Sequence, residues 1–208
     1  MLVSASFLSS KYPPEDLKKL NETDVDYIHV DIMDGKFVKN KTMPFREMRK
    51  IYKFTDKRLD VHLMVRRPEK YIPLYAELNT EFITFHLESG DDIISNLELI
   101  KSYGIKCGLA IKPDTEIKEL VPYLSLLDII LIMSVEPGMG GQKFIKGTHK
   151  KIEELKVLLK EYNSKALINV DGGINNNTKE ETKLSDIVTA GSYIIRSNNF
   201  QRKIDSLR

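Results

Sequence analysis

The stretch Tyr27-Ile28-His29-Val30-Asp31-Ile32-Met33 alternates two kinds of side chain. Its even positions, Ile28, Val30 and Ile32, are branched and apolar, whereas His29, Asp31 and Met33 at odd positions offer an imidazole, a carboxylate and a thioether. Side chains point alternately to the two faces of a β-strand. A strand over 27–33 therefore turns its branched face toward a covering layer and His29, Asp31 and Met33 the other way. Leu59-Asp60-Val61-His62-Leu63-Met64 repeats the pattern, with Leu59, Val61 and Leu63 outward and Asp60, His62 and Met64 inward. In 166–171, Ile168 and Val170 share the outer face and Asp171 faces in. Three strands thus bring ionisable side chains to one interior, near their carboxyl ends.

Outward from these segments, β-rich runs at 2–6, 27–33, 59–64, 82–86, 105–111, 128–135, 166–171 and 186–190 alternate with amphipathic or polar stretches such as 14–20, 68–78, 91–103 and 148–162. Strand and helix in alternation mark a parallel α/β architecture. Eight units of about 25 residues each predict a closed (β/α)8 TIM barrel rather than an open sheet, with residues 1–208 forming a single domain. In such a barrel the carboxyl ends of the strands carry the chemistry.

Composition narrows the function classes. Thirty-two basic and thirty acidic side chains leave a formal charge of +2, dispersed along the chain. That balance argues against nucleic acid or an anionic membrane as a partner. Cys107 is the only cysteine, which excludes an internal disulfide and a thiolate cluster and fits a reducing cytoplasm. Residues 1–14 lack the basic start and long apolar run of a secretory signal. The most apolar stretch, 123–133, is interrupted by Asp128 and too short to span a bilayer.

His29, Asp31, His62 and Asp171 form the central constellation. Taken singly, each has a structural explanation: a core histidine bonded to backbone, or an aspartate capping a helix. Together at strand ends, two imidazoles and two carboxylates make a ligand set for one divalent metal with positions left for substrate oxygens. A second feature is Glu136-Pro137-Gly138-Met139-Gly140-Gly141-Gln142, directly after a strand run. Glycines let backbone N–H groups approach an anion closely. Gly172 and Gly173 follow the seventh run, and Gly191 and Ser192 the eighth. Loops there commonly hold phosphate in this fold. His86, in FHLES, is read as structural support, and His149, opening a lysine-rich helix, as a solvated surface residue.

These residues lead to a resemblance. The strings YIHVDIMDGKFV from Tyr27, LDVHLMVRRPEKYI from Leu59, MSVEPGMGGQKFI from Met133, INVDGGI from Ile168 and AGSYII from Ala190 together resemble the ribulose-phosphate 3-epimerases, in family order and over nearly the whole chain. The resemblance implies metal ligands at His29, Asp31, His62 and Asp171, with Asp31 and Asp171 also the catalytic acid–base pair. It implies substrate contacts from Ser6, His62, Met33, Met64, Met133 and Asp171. Gly138, Met139, Gly140, Gly141, Gly172, Gly173, Gly191 and Ser192 then form the cradle for substrate and phosphate. Ordinary core packing by a flexible side chain explains the three methionines better than a separate catalytic duty does.

The implied activity is epimerisation at carbon 3 of a phosphorylated ketose, D-ribulose 5-phosphate to D-xylulose 5-phosphate in the pentose phosphate pathway. The carbon-3 proton is acidified by the adjacent carbonyl, so its removal gives an enediolate that a metal stabilises. Inversion requires proton transfer on both faces, hence two carboxylates. One divalent ion per subunit is expected, zinc or iron(II), with manganese or cobalt as alternatives, and a homo-oligomer in the cytoplasm. Two other readings stand beside it: an allulose-6-phosphate 3-epimerase, and a non-catalytic sugar-phosphate-binding barrel. The chain departs from the family pattern at Ser10 and Lys11, where an acidic residue is frequent, and at Met139, where an aromatic is usual. The segment 175–185 is short, and Asn175-Asn176-Asn177 predicts a frayed seventh helix.

Overall fold

Strand β1 (Leu2–Ser6) is followed by β2 (Tyr27–Met33), β3 (Leu59–Met64), β4 (Thr80–His86), β5 (Lys106–Ile111), β6 (Ile129–Met133), β7 (Leu167–Asp171) and β8 (Ile187–Ala190). The computed structural model describes residues 1–90 and 92–208. All eight strands are parallel, each pairs with the next, and β8 returns to β1, closing the barrel. The register sets the interior levels. Asp31 lies beside His62 and Met33 beside Met64 across β2–β3, while Met133 lies beside Asp171 across β6–β7.

The outer layer contains α1 (Pro13–Asn21), α2 (Phe45–Ile51), α3 (Ile72–Ala76), α4 (Ile93–Ser102), α5 (Thr148–Glu161), α6 (Ser192–Ile195) and α7 (Phe200–Asp205). Pro13 and Pro14 open α1, where a missing N–H removes no helical bond. The stretch 68–78 does not form one helix. It divides into a 3-10 turn, Pro68–Lys70, and α3, because Pro73 can begin a helix but cannot donate within one. The start expected at Asp91 lies outside the described residues. Between β5 and β6 the chain forms a ten-residue 3-10 segment, Ile117–Leu126, with Pro122 inside it. After β7 the helix is reduced to a 3-10 turn, Lys179–Thr182. There Asn175 Oδ1 accepts the N–H of Asn177, and Thr178 Oγ1 that of Asn175, so side chains compete with a regular helix for the backbone.

The strand parity holds. Ile28, Val30, Ile32, Leu59, Val61, Leu63, Ile168 and Val170 join Leu17, Leu20, Leu97, Ile100 and Leu155 of the helices in one continuous core outside the sheet. Each such side chain contributes about 1.5–3 kcal/mol by leaving water. Inside, Phe82, Ile129 and Ile187 form an apolar plug flanked by Tyr27 and Leu167. A polar layer centred on Asp60 includes Ser4, His29, Asn169 and Thr189. The mouth beyond it is where the ionisable groups gather.

Candidate active site

The four ligand-type residues converge. One donor atom from each of His29, Asp31, His62 and Asp171 lies within 4.8 Å of the others. His29 Nε2 stands 3.4 Å from Asp31 Oδ1 and 3.8 Å from Asp171 Oδ2, and His62 Nδ1 stands 3.3 Å from Asp31 Oδ1. Both nitrogens are buried without a hydrogen-bond partner. An unpartnered buried imidazole nitrogen is costly unless something else meets its lone pair. Ligands about 2.1 Å from a tetrahedral ion sit about 3.4 Å apart, close to the separations around Asp31 Oδ1. The donor set and its two orphan nitrogens fit a divalent metal.

The surrounding bonds orient these groups. His29 Nδ1 is 2.8 Å from Asp60 Oδ2, which also accepts from Ser4 Oγ at 2.8 Å and Asn169 Nδ2 at 3.3 Å. A carboxylate behind an imidazole fixes which nitrogen carries the proton and leaves the other nitrogen for the ion. Asp60 was legible as an inward residue, but only the fold shows its bond to His29. On β4, His86 Nε2 lies 2.9 Å from His62 Nε2, and His86 Nδ1 lies 3.1 Å from Glu88 Oε2. His86 stands outside the ligand cluster, in keeping with its reading as support.

Burial opposes charge on His29, yet Asp60 and Asp31 outweigh it and hold the imidazole well above its usual range. Burial would likewise raise Asp31, but the His29 and His62 imidazoles beside it bring its carboxyl well below the usual range. Asp171 moves the other way: burial raises it, His29 opposes the rise, and the Asp31 charge adds to it. Burial pushes His86 down to about 4 despite its bond to Glu88. The cluster thus concentrates negative charge around one buried imidazole and attracts a cation.

Above the cluster lies a cleft, open to solvent, with about 560 Å³ of empty space in and at its mouth. Ser6, Asp31, Asp171 and the methionines Met33, Met64 and Met133 line it, together with Gly138, Met139, Gly140, Gly141, Gly172, Gly173, Gly191 and Ser192. His62, with no exposed surface, does not reach this wall. Ser6 Oγ donates to Asp31 Oδ2 at 2.8 Å. Because β2 and β7 stand three strands apart in a ring of eight, Asp31 and Asp171 enter the cleft from nearly opposite walls.

The glycine loops are held by their carbonyls. Gln142 Nε2 donates to Glu136 O and Met139 O, Asn40 Nδ2 to Gly138 O, and Asn175 Nδ2 to Gly173 O. Among the described residues the N–H groups of Gly141, Gly173 and Gly191 have no protein acceptor. Gly173 has φ +66°, and a Cβ there would stand 2.5 Å from the Phe144 backbone nitrogen. Sequence reasoning passed over Arg196, whose Nη2 would lie 3.7 Å from a Cβ at Gly141. It adds a cation beside a cleft whose charged lining residues, Asp31, Glu136 and Asp171, are acidic. His149 keeps a side chain 44% exposed, in keeping with its reading as a surface residue, and its Nδ1 lies 3.1 Å from Glu181 Oε2, joining α5 to the turn after β7. No helix among the described residues is long and apolar enough to cross a membrane.

Comparison with known proteins agrees with this geometry. Residues 2–195 match the model of the Ribulose-phosphate 3 epimerase family. The chain is 34% identical to ribulose-phosphate 3-epimerase of Bacillus subtilis (strain 168), covering 99% of this chain and 97% of that protein. It is 38% identical to ribulose-phosphate 3-epimerase of Buchnera aphidicola subsp. Baizongia pistaciae, over 100% and 94% respectively. Among solved structures, 3-hexulose-6-phosphate synthase from Salmonella typhimurium superposes with a TM-score of 0.67 at 17% identity, over 100% of this chain and 96% of that one. Thiamine phosphate pyrophosphorylase from Pyrococcus furiosus gives 0.64 at 17%, over 100% and 93%. These two likenesses establish the barrel alone.

Proposed function

The chain belongs to the ribulose-phosphate 3-epimerase family, and from that premise we propose that it interconverts D-ribulose 5-phosphate and D-xylulose 5-phosphate through proton transfers by Asp31 and Asp171. It is an epimerase, hence an isomerase. The observation that carries the mechanism is the meeting of four donors, two of them unpartnered imidazole nitrogens, beneath the glycine-lined cleft. Residues 1–208 act as one catalytic domain in this reading.

Inversion needs a proton acceptor on one face of carbon 3 and a donor on the other. Asp31 and Asp171 line one cleft from nearly opposite walls, and their environments push their carboxyls in opposite directions. Such divergence separates a ready base from a ready acid. Asp31 Oδ1 faces the imidazoles while Oδ2 is held by Ser6 at the cleft, which divides one carboxylate between ligand and base duty. His29 Nε2, His62 Nδ1, Asp31 and Asp171 would hold a divalent ion, zinc or iron(II) with manganese or cobalt as alternatives. When bound, it supplies Lewis acidity to the oxygens on which charge develops. Met33, Met64 and Met133 give the reacting carbons a polarisable wall that excludes water. The free N–H groups of Gly141, Gly173 and Gly191, with Arg196 beside Gly141, suit the phosphate dianion.

Turnover of purified protein on D-ribulose 5-phosphate, D-allulose 6-phosphate and unphosphorylated D-ribulose tests the assignment. The pentose phosphate should be preferred. Preference for the six-carbon ester overturns the substrate, and absence of turnover with a full complement of divalent ion overturns the activity.

A further inference from the structure

The proposed mechanism leaves one buried chain of polar groups unused. From the ligand cluster outward it runs through His62, His86 and Glu88 and ends on the loop after β5. His62 Nε2 is 2.9 Å from His86 Nε2, and His86 Nδ1 is 3.1 Å from Glu88 Oε2. Glu88 Oε1 accepts from the Lys112 backbone N–H at 2.8 Å and from Thr115 Oγ1. Both histidines have no exposed surface. The Phe37 ring packs on His86 with centroids 4.8 Å apart, and Lys112 Nζ lies 4.6 Å over Phe37, so water is kept from the middle of the chain.

Two imidazole nitrogens in hydrogen-bond contact need one proton between them, and the far end decides which carries it. A carboxylate only accepts, so His86 must place its proton on Nδ1 to meet Glu88, and its Nε2 then accepts. His62 must therefore donate from Nε2, which leaves the Nδ1 lone pair facing Asp31 and the ligand cluster, where that nitrogen has no protein partner. We propose that His86 and Glu88 are positioning residues that hold His62 in the tautomer whose Nδ1 can bind a metal ion. The inference rests on the metal reading above and extends it, since neither residue touches the ligand cluster's donor atoms directly. Glu88 is in turn fixed by Lys112 and Thr115, so the loop after β5 determines a proton position on β3.

Glu88→Gln tests this, because it keeps size but reverses one bond. With the Gln carbonyl on Lys112 and Thr115, its amide donates to His86 Nδ1. The His86 proton then moves to Nε2, and His62 is driven to carry its proton on Nδ1, against the ion. Affinity of the full-length protein for zinc or cobalt, by chelator competition, should fall about 10–100-fold, while the metal-free melting temperature changes little. His86→Gln, whose carbonyl gives His62 Nε2–H an acceptor directly, should bind more tightly than Glu88→Gln. In wild type, nitrogen NMR should show a proton on His62 Nε2 with scalar coupling to His86 Nε2. Wild-type affinity in Glu88→Gln, or a wild-type His62 protonated on Nδ1, overturns the proposal. If Glu88→Gln does not fold, the wild-type coupling decides. A wild type that binds no stoichiometric ion would sink the metal reading on its own, and the same coupling would still report the direction of the relay.

Discussion

In the proposed mechanism Asp31 would both hold the ion and move a proton, and its two oxygens stand in different surroundings. One oxygen faces His29 and His62, the other Ser6 and the cleft. Asp31→Asn and Asp171→Asn keep size and one oxygen but remove the basic carboxylate. Either should lower epimerisation about 10²–10⁴-fold, the usual contribution of a general acid–base group. Each variant should retain exchange of the carbon-3 proton with deuterated solvent from a different epimer, measured at matched metal occupancy. Near-normal turnover in either variant would refute the two-aspartate assignment. Arg196 belongs to the same scale. Its side chain is exposed, so Arg196→Ala should raise KM for the phosphorylated ketose only about 2–5-fold, the range of exposed ion pairs, with kcat little changed. A fall in kcat with KM unaltered would remove Arg196 from the phosphate site.

At the scale of elements, the loops after β6 and β7 are built against each other. Ser134 Oγ donates to Asp171 O and Gly172 O, and Gly173 packs on the Phe144 backbone. Gly173→Ala must both hold an unfavourable φ and push Phe144 away. Gly104, just beyond α4, has φ +73° and open space around the point where a methyl group would project, with nothing within 4 Å, so it isolates the conformational cost alone. Gly104→Ala should cost about 1–2 kcal/mol, or about 2–8 °C in Tm for a chain this long. Gly173→Ala should cost more and also raise KM for the phosphate ester. Equal thermal losses with unchanged KM would show that the β7 loop yields freely and does not hold phosphate.

For the whole molecule, a metal ion held by the buried cluster would couple its binding to folding. His29, Asp31, His62 and Asp171 come from β2, β3 and β7, so an ion bound there would bridge distant parts of the barrel. A ligand at 100 times its Kd stabilises the folded state by about 2.7 kcal/mol. Chelation should therefore lower Tm by about 5–10 °C, and added zinc or manganese should restore it. A melting curve indifferent to chelator and to added ion would count against a metal in the folded protein.

Strand parity alone determined most of the barrel and the inward direction of His29, Asp31, His62 and Asp171, because a period of two is written locally in which residues are branched and apolar. The glycine runs likewise marked the cleft's rim. The outer helices were less legible: Pro73 and Pro122 break helical hydrogen bonding, and Asn175 captures backbone groups that a seventh helix would use. What no local pattern contains is distance between strands remote in sequence. Asp60 lies behind His29 across 31 residues of chain, His86 meets His62 across 24, and Arg196 stands beside Gly141 from the far side of β7 and β8. Barrel closure and strand register brought them together, because each of those contacts depends on where two different strands or loops come to lie.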